Sequence, residues 1–125
     1  MGAGETRFTK THEWVRAEGD VAVMGITDYA QHELGDIVFV ELPPVGKAVT
    51  VGDVVTTVES VKSVSEVYAP VTGTVTEVNG ELEGSPGLVN SDPEGSGWIL
   101  KLRMADRSAF LKLLDRGAYD KETAK

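Results

Sequence analysis

The sequence predicts a mainly β domain, a sandwich or flattened barrel with short peripheral helices. Three observations point there. Short runs rich in valine and threonine recur along the chain, and several alternate apolar with polar residues, the two-residue period of a half-buried strand. Glycine and proline, 14 and 5 residues, fall mostly between those runs, where the chain must turn. Helix signals are confined to three short segments. At 125 residues the chain reads as one domain, residues 1–125, with flexible ends expected at 1–6 and 121–125.

Taken in order, Thr9 to Val15 and Val21 to Ile26 read as two strands joined around the turn-forming Glu18-Gly19-Asp20. Thr27 to Gly35 reads as a short helix: Thr27 can cap it, Asp28 suits its positive end, and Gly35 can close it in a left-handed conformation. Ile37 to Leu42 is a strand stopped by Pro43-Pro44, and Gly46 and Gly52 punctuate the region that follows. Val54 to Val61 and Val64 to Val78 form two strand arms. In the second, Val67, Ala69, Val71 and Val75 alternate with polar or exposed positions, and Gly73 marks a bulge or bend. Ser85-Pro86 opens a helical turn. Trp98 to Met104 is a further strand. Asp106 to Arg116 reads as a C-terminal helix closed by Gly117, with Phe110, Leu113 and Leu114 on one buried face and fraying after Asp120. The count is about eight strands and three helices.

Composition narrows the function. A net charge of −8 disfavours nucleic acid and anionic membranes as partners, since both would repel the chain. The longest strictly apolar run, Ile37 to Val40, is far short of a membrane span, and neither a secretory signal nor a transit peptide is visible. With no cysteine, thiolate metal sites, disulfides and cysteine nucleophiles are excluded. His12 and His32 lack the carboxylate pattern of a metal site; His12 reads as a packing residue. No Gly-x-Ser-x-Gly motif suggests a hydrolase.

The distinctive residue is Lys62. It is the only basic residue between Lys47 and Lys101, an interval with eight acidic side chains from Asp53 to Glu94, and it falls between the two strand arms at an expected hairpin tip. An exposed lysine is ordinarily solvated surface. A Schiff-base lysine must lose its proton easily, whereas Glu59 and Glu66 near Lys62 would favour the charged form. A third reading is an attachment point: a tethered group on a rigid tip would be held at high effective concentration near a docked enzyme. The residues alone leave surface decoration and attachment both open.

Longer stretches decide between them. Thr11-His12-Glu13-Trp14-Val15, Gly25 to Gln31, Leu34 to Pro43, Val58-Glu59-Ser60-Val61-Lys62-Ser63, Tyr68 to Gly73, Glu77-Val78-Asn79, Ser85 to Asn90 and Gly97-Trp98 resemble, in order and spacing, the H-protein family of the glycine cleavage system. The resemblance covers nearly the whole chain. It implies a barrel-sandwich hybrid, lipoyl-domain-like, with lipoate in amide linkage to Lys62. It also implies a non-catalytic shuttle, which carries an aminomethyl group from glycine decarboxylase (P protein) to aminomethyltransferase (T protein) and is reoxidised by dihydrolipoyl dehydrogenase (L protein). A lipoate ligase or octanoyl/lipoyl transferase would install the cofactor.

In that family the loaded arm shelters in a cleft of its own carrier. Matching positions make Glu13 and Thr11 candidates to hold its cationic end, with Glu59 and Glu66 as candidates for recognition or retention. Trp14 and Trp98 read as core. Val64 is a small departure from the family pattern. The implied setting is a monomer in a bacterial cytoplasm or mitochondrial matrix. The alternative is an H-like lipoate relay serving 2-oxoacid dehydrogenases or sulfur metabolism. A biotin carrier fits less well, since Val61 and Ser63 flank the lysine where that class has methionines. An unmodified β-sandwich interaction protein is the remaining reading.

Overall fold

A computed structural model describes residues 5–105 and 107–123 of the chain. Nine strands and five short helices run in the order β1 (Thr6–Phe8), β2 (Glu13–Glu18), β3 (Val21–Ile26), α1 (Asp28–Leu34), β4 (Ile37–Glu41), β5 (Ala48–Val49), β6 (Val54–Ser60), β7 (Val64–Tyr68), β8 (Gly73–Val78), α2 (Glu81–Gly84), α3 (Leu88–Ser91), β9 (Leu100–Met104), α4 (Ser108–Leu111) and α5 (Arg116–Thr123) among the described residues. The strands make two sheets that do not close on one another: six strands in the order β1-β2-β3-β9-β8-β5, and three in the order β4-β6-β7. All the pairings are antiparallel. The mainly β architecture with peripheral helices expected from the sequence is the one observed.

The main core lies between the sheets. Val15, Ala17 and Met24 face Val40, Val58 and Val67 across it, and Val75, Leu100 and Leu102 extend it. A second cluster of Phe8, Trp14, Val23 and Tyr119 covers the other face of the larger sheet. Trp14 is fully buried there and its indole N–H donates to the Pro93 carbonyl at 2.8 Å. The expected core placement of Trp14 therefore holds; Trp98 is half-buried against the same cluster, beneath the Lys101 ammonium.

Several expectations need correction. The strand expected from Thr9 to Val15 is β2 and starts at Glu13. Residues 9–12 turn instead, because the Thr9 hydroxyl accepts the Glu13 N–H at 3.0 Å and the Thr9 carbonyl accepts that of His12 at 3.2 Å, a side-chain-stabilised alternative to a ladder. Thr6–Phe8, unforeseen, pairs back on β2.

The arm expected over Val64 to Val78 is two strands in different sheets. The chain crosses between them at residues 69–72, where Pro70 has no N–H to donate. The apolar alternation survives this crossing, with Val67, Ala69, Val71 and Val75 all buried. Gly73 is not a bulge; the β8–β9 irregularity falls between Val75 and Glu77. Gly73 is required by close approach, since a Cβ there would lie 2.2 Å from the Arg103 carbonyl oxygen.

The single helix expected from Asp106 to Arg116 is instead α4 and α5, and Asp106 itself lies outside the described residues. Between them Leu114 exchanges backbone hydrogen bonds with Phe8, at 2.8 and 2.9 Å, which no continuous helix would allow. Asp115 then starts α5 by accepting the Ala118 N–H at 2.8 Å, so Gly117 sits inside a helix rather than ending one. Phe110 and Leu113 pack on the main core, whereas Leu114 joins the second cluster. Helix α5 continues past Asp120 to Thr123; of the ends expected to be flexible, residues 1–4 and 124–125 lie outside the described residues. Helix α2 was not foreseen.

Candidate functional site

The β6–β7 hairpin ends in a tip held by one serine. Ser60 Oγ accepts the N–H of Lys62 at 3.3 Å and of Ser63 at 3.1 Å, while the Ser60 N–H donates to the Ser63 carbonyl at 2.8 Å. The tip is also fastened outside itself: the Val61 N–H donates to the Asp36 carbonyl at 3.0 Å. Asp36 belongs to the α1–β4 connection, which Asn90 braces. The Asn90 carboxamide accepts the Ile37 N–H at 2.8 Å and donates to Gln31 Oε1 at 2.8 Å and to the Gly35 carbonyl at 2.9 Å.

Lys62 projects from this support into solvent. Its stem passes over Gly35, where a Cβ would sit 3.5 Å from Lys62 Cε. Gly35 closes α1 at the positive φ expected of it, 82°, but with ψ −160° rather than that of a left-handed helix, and its N–H donates to the Gln31 carbonyl. Among the described residues no carboxylate lies within ion-pair distance of Lys62. The expected influence of Glu59 and Glu66 is thus not a direct pairing. Glu59 sits on the outer face of the small sheet, in register with the exposed Phe39 and Val64. Glu66 accepts the Tyr68 phenol at 3.1 Å, and this bond with the carboxylate's charge raises the Tyr68 pKa above its ordinary value.

A cleft of about 150 Å³ opens beside the lysine, between α1, the start of β2 and the free edge of β7. Ile26, Ala30, Leu34 and Val67 supply its apolar lining, and Glu13, Glu33 and Glu66 its charge; no lysine or arginine lines it. A larger hollow of about 400 Å³ lies between Pro70, Thr72 and α4, lined by none of the tip residues.

Three of the four predicted residues, Thr11, Glu13 and Glu66, line the cleft, and the first two are bonded to each other rather than free. Glu13 is 2% exposed. Its Oε1 accepts the hydroxyls of Thr9 and Thr11, each at 2.5 Å, and its Oε2 accepts the Tyr68 N–H at 3.0 Å. It therefore links the larger sheet to the edge of the smaller one and forms the cleft's floor. Thr11 commits its hydrogen to Glu13. Glu66 lines the same cleft, while Glu59 does not.

Sequence reasoning missed Glu33 and Asn90. Glu33 was in principle findable, because Ala30, Glu33 and Leu34 have the spacing of one helix face. Asn90 acts across 53 residues of sequence and left no local signal. The described residues hold no group of His, Cys, Asp or Glu arranged for a metal.

Comparison with known proteins agrees with this geometry. A family model described as glycine cleavage H-protein matches residues 6–125. A glycine cleavage system H protein of Xanthobacter autotrophicus is 61% identical over 113 residues, 90% of each chain. One of Thermus thermophilus is 55% identical over 112 residues, covering 90% of this chain and 88% of the relative. The crystal structure of a glycine cleavage system H protein from Mycobacterium marinum superposes with a TM-score of 0.88 at 34% identity, covering 98% of each chain.

Proposed function

The chain belongs to the glycine cleavage H-protein family and has the carrier role in glycine cleavage, and we propose that it performs this role through lipoate in amide linkage to Lys62. The observation that carries the proposal is the setting of the amine. Lys62 stands exposed on a tip braced by Ser60 and Asp36, beside a cleft lined by apolar and acidic side chains. These residues fit an acylated lysine: nothing charged competes for the amine within ion-pair distance among the described residues, and the stem has a surface to lie on at Gly35.

When bound, lipoate supplies the dithiolane that takes up and gives back the aminomethyl group. The chain's own contribution is placement and shelter. Ser60 and Asp36 fix the direction in which Lys62 leaves the tip. Ile26, Ala30, Leu34 and Val67 exclude water from the cleft, and Glu33 and Glu66, the more exposed carboxylates, attract a cationic end group. Glu13 holds the floor, with its negative charge already shared among three donors.

As partners we assign glycine decarboxylase, aminomethyltransferase, dihydrolipoyl dehydrogenase, and a ligase or transferase that acylates Lys62. The chain itself takes no catalytic step in this scheme. Reconstitution tests it: lipoylated protein with P protein should support glycine–bicarbonate exchange well above the Lys62→Arg control. Exchange no faster than that control would refute the glycine-cleavage assignment of the arm and favour a lipoate relay.

A further inference from the structure

We propose that Tyr119, on the C-terminal helix α5, is a positioning residue for the cleft beside Lys62, holding His12 in its wall and Thr27 at the start of the helix that walls it. The connection to a tethered arm rests on the function proposed above; the positioning itself does not.

The Tyr119 hydroxyl is 2.8 Å from His12 Nδ1 and 2.8 Å from Thr27 Oγ1. One partner lines the cleft and the other starts the helix that walls it. His12 is the lining residue, and Thr27 caps α1, the helix that contributes Ala30, Glu33 and Leu34. The two are joined a second time through the backbone, where the Thr27 N–H donates to the His12 carbonyl at 3.1 Å.

The geometry allows the hydrogens to run in either direction, and we take the chain that starts at Thr27. Thr27 Oγ1 accepts the Ala30 N–H at 3.2 Å and has its own hydrogen left for the Tyr119 oxygen. Tyr119 then donates to His12 Nδ1, which places the hydrogen of the neutral imidazole on Nε2. Burial raises the Tyr119 pKa and so keeps the phenol a donor.

Two features separate this from ordinary packing. The ring of Tyr119 is 3% exposed and stacks on Phe8 at 4.6 Å, a role phenylalanine would fill equally well. The hydroxyl is the addition, and it reaches His12, which lines the cleft, and Thr27, which caps the helix that walls it. In addition, His12 has φ 71°, the one positive φ outside glycine among the described residues. Such a conformation persists only where several contacts enforce it, and such strain clusters at functional sites. Here the Tyr119 hydroxyl, the Tyr29 ring at 4.5 Å and the Thr9 carbonyl enforce it. Directly after this residue the chain enters β2 with Glu13 turned into the cleft floor. Helix α5 thus serves the cleft from 107 residues away in sequence.

Tyr119→Phe removes the hydroxyl and keeps the stack. In unmodified protein, ¹⁵N NMR of His12 should change from one neutral tautomer, Nε2–H, to a mixture. Amide exchange across residues 30–34 should accelerate roughly tenfold, the loss of about one hydrogen bond, while the β6–β7 hairpin keeps its rates. Thr27→Ser, which retains a hydroxyl, should behave as wild type in both. In lipoylated, aminomethyl-loaded protein, Tyr119→Phe should release ammonia several-fold faster with the acylation rate of Lys62 unchanged.

An unchanged tautomer with unchanged exchange in residues 30–34 would overturn the positioning role. Changes in both without faster ammonia release would overturn its service to the arm. Absence of lipoate from wild-type protein would instead sink the functional assignment, with the NMR and exchange results still deciding the positioning.

Discussion

Replacing Glu13 with alanine should destabilise the protein by about 1–3 kcal/mol, because this carboxylate joins the two sheets rather than waiting free in a cleft. Three donors point at it: the hydroxyls of Thr9 and Thr11 and the N–H of Tyr68. The hydroxyls lie at an accessible turn and can rotate to water, recovering most of their roughly 1–2 kcal/mol each. The Tyr68 amide, on the edge of β7, loses its carboxylate acceptor and costs roughly 1–3 kcal/mol. Relief of the desolvation of a buried carboxylate offsets part of the sum. Glutamine keeps an oxygen for Tyr68, so Glu13→Gln should cost about half as much. Urea unfolding of unmodified protein measures both, and a shared m-value would show that the native state is altered rather than the unfolded one. The melting temperature of Glu13→Ala should fall by roughly 10 °C. An alanine variant within about 0.5 kcal/mol of wild type would refute the reasoning and return Glu13 to the role of a free cleft ligand. Below its melting point, Glu13→Ala should also lose ammonia from the loaded arm faster while still accepting lipoate on Lys62.

Other outcomes follow from single contacts. Tyr68 should titrate above 10.0, and Glu66→Gln should move it back toward that value, as read by NMR or by tyrosinate absorbance. Because the folded pKa is the raised one, any stability from this contact is complete below about pH 10 and fades as pH rises through the folded value. Gly73→Ala should destabilise by about 1–3 kcal/mol or fail to fold, since its Cβ would meet a backbone oxygen that cannot swing aside. Asn90→Ala should cost roughly 2 kcal/mol and speed amide exchange at Ile37 and Val61, because it releases the connection on which the lysine tip leans.

Much of the fold was legible because it depends on local pattern. The alternation of Val67, Ala69, Val71 and Val75 gave the right burial even though the chain changes sheets within it. Thr27 and Gly35 cap α1 as their chemistry requires. The failures came where distant backbone overrode local preference. Leu114 abandons a helix to pair with Phe8, and the Thr9 hydroxyl intercepts an amide that a longer strand would have used. The lysine tip was visible as an isolated charge between two β arms. The cleft was less so: Glu13 lines it, but donors from Thr9 and from Tyr68, 55 residues away, make it a structural joint, and no local pattern announces them. Tyr119 acts only through tertiary contact, so no periodicity or motif reports it; Asn90 closes one of the family-like stretches, but its bracing role appears only in its contacts with Gln31, Gly35 and Ile37.

Carrier function as proposed requires Lys62 to be the acylated residue. Intact and peptide mass of protein made in a lipoylation-competent host tests this most directly. The expected result is one lipoyl adduct, mapped to Lys62 and absent from Lys62→Arg. Native protein with no adduct, or an adduct on another lysine that persists in Lys62→Arg, would contradict it.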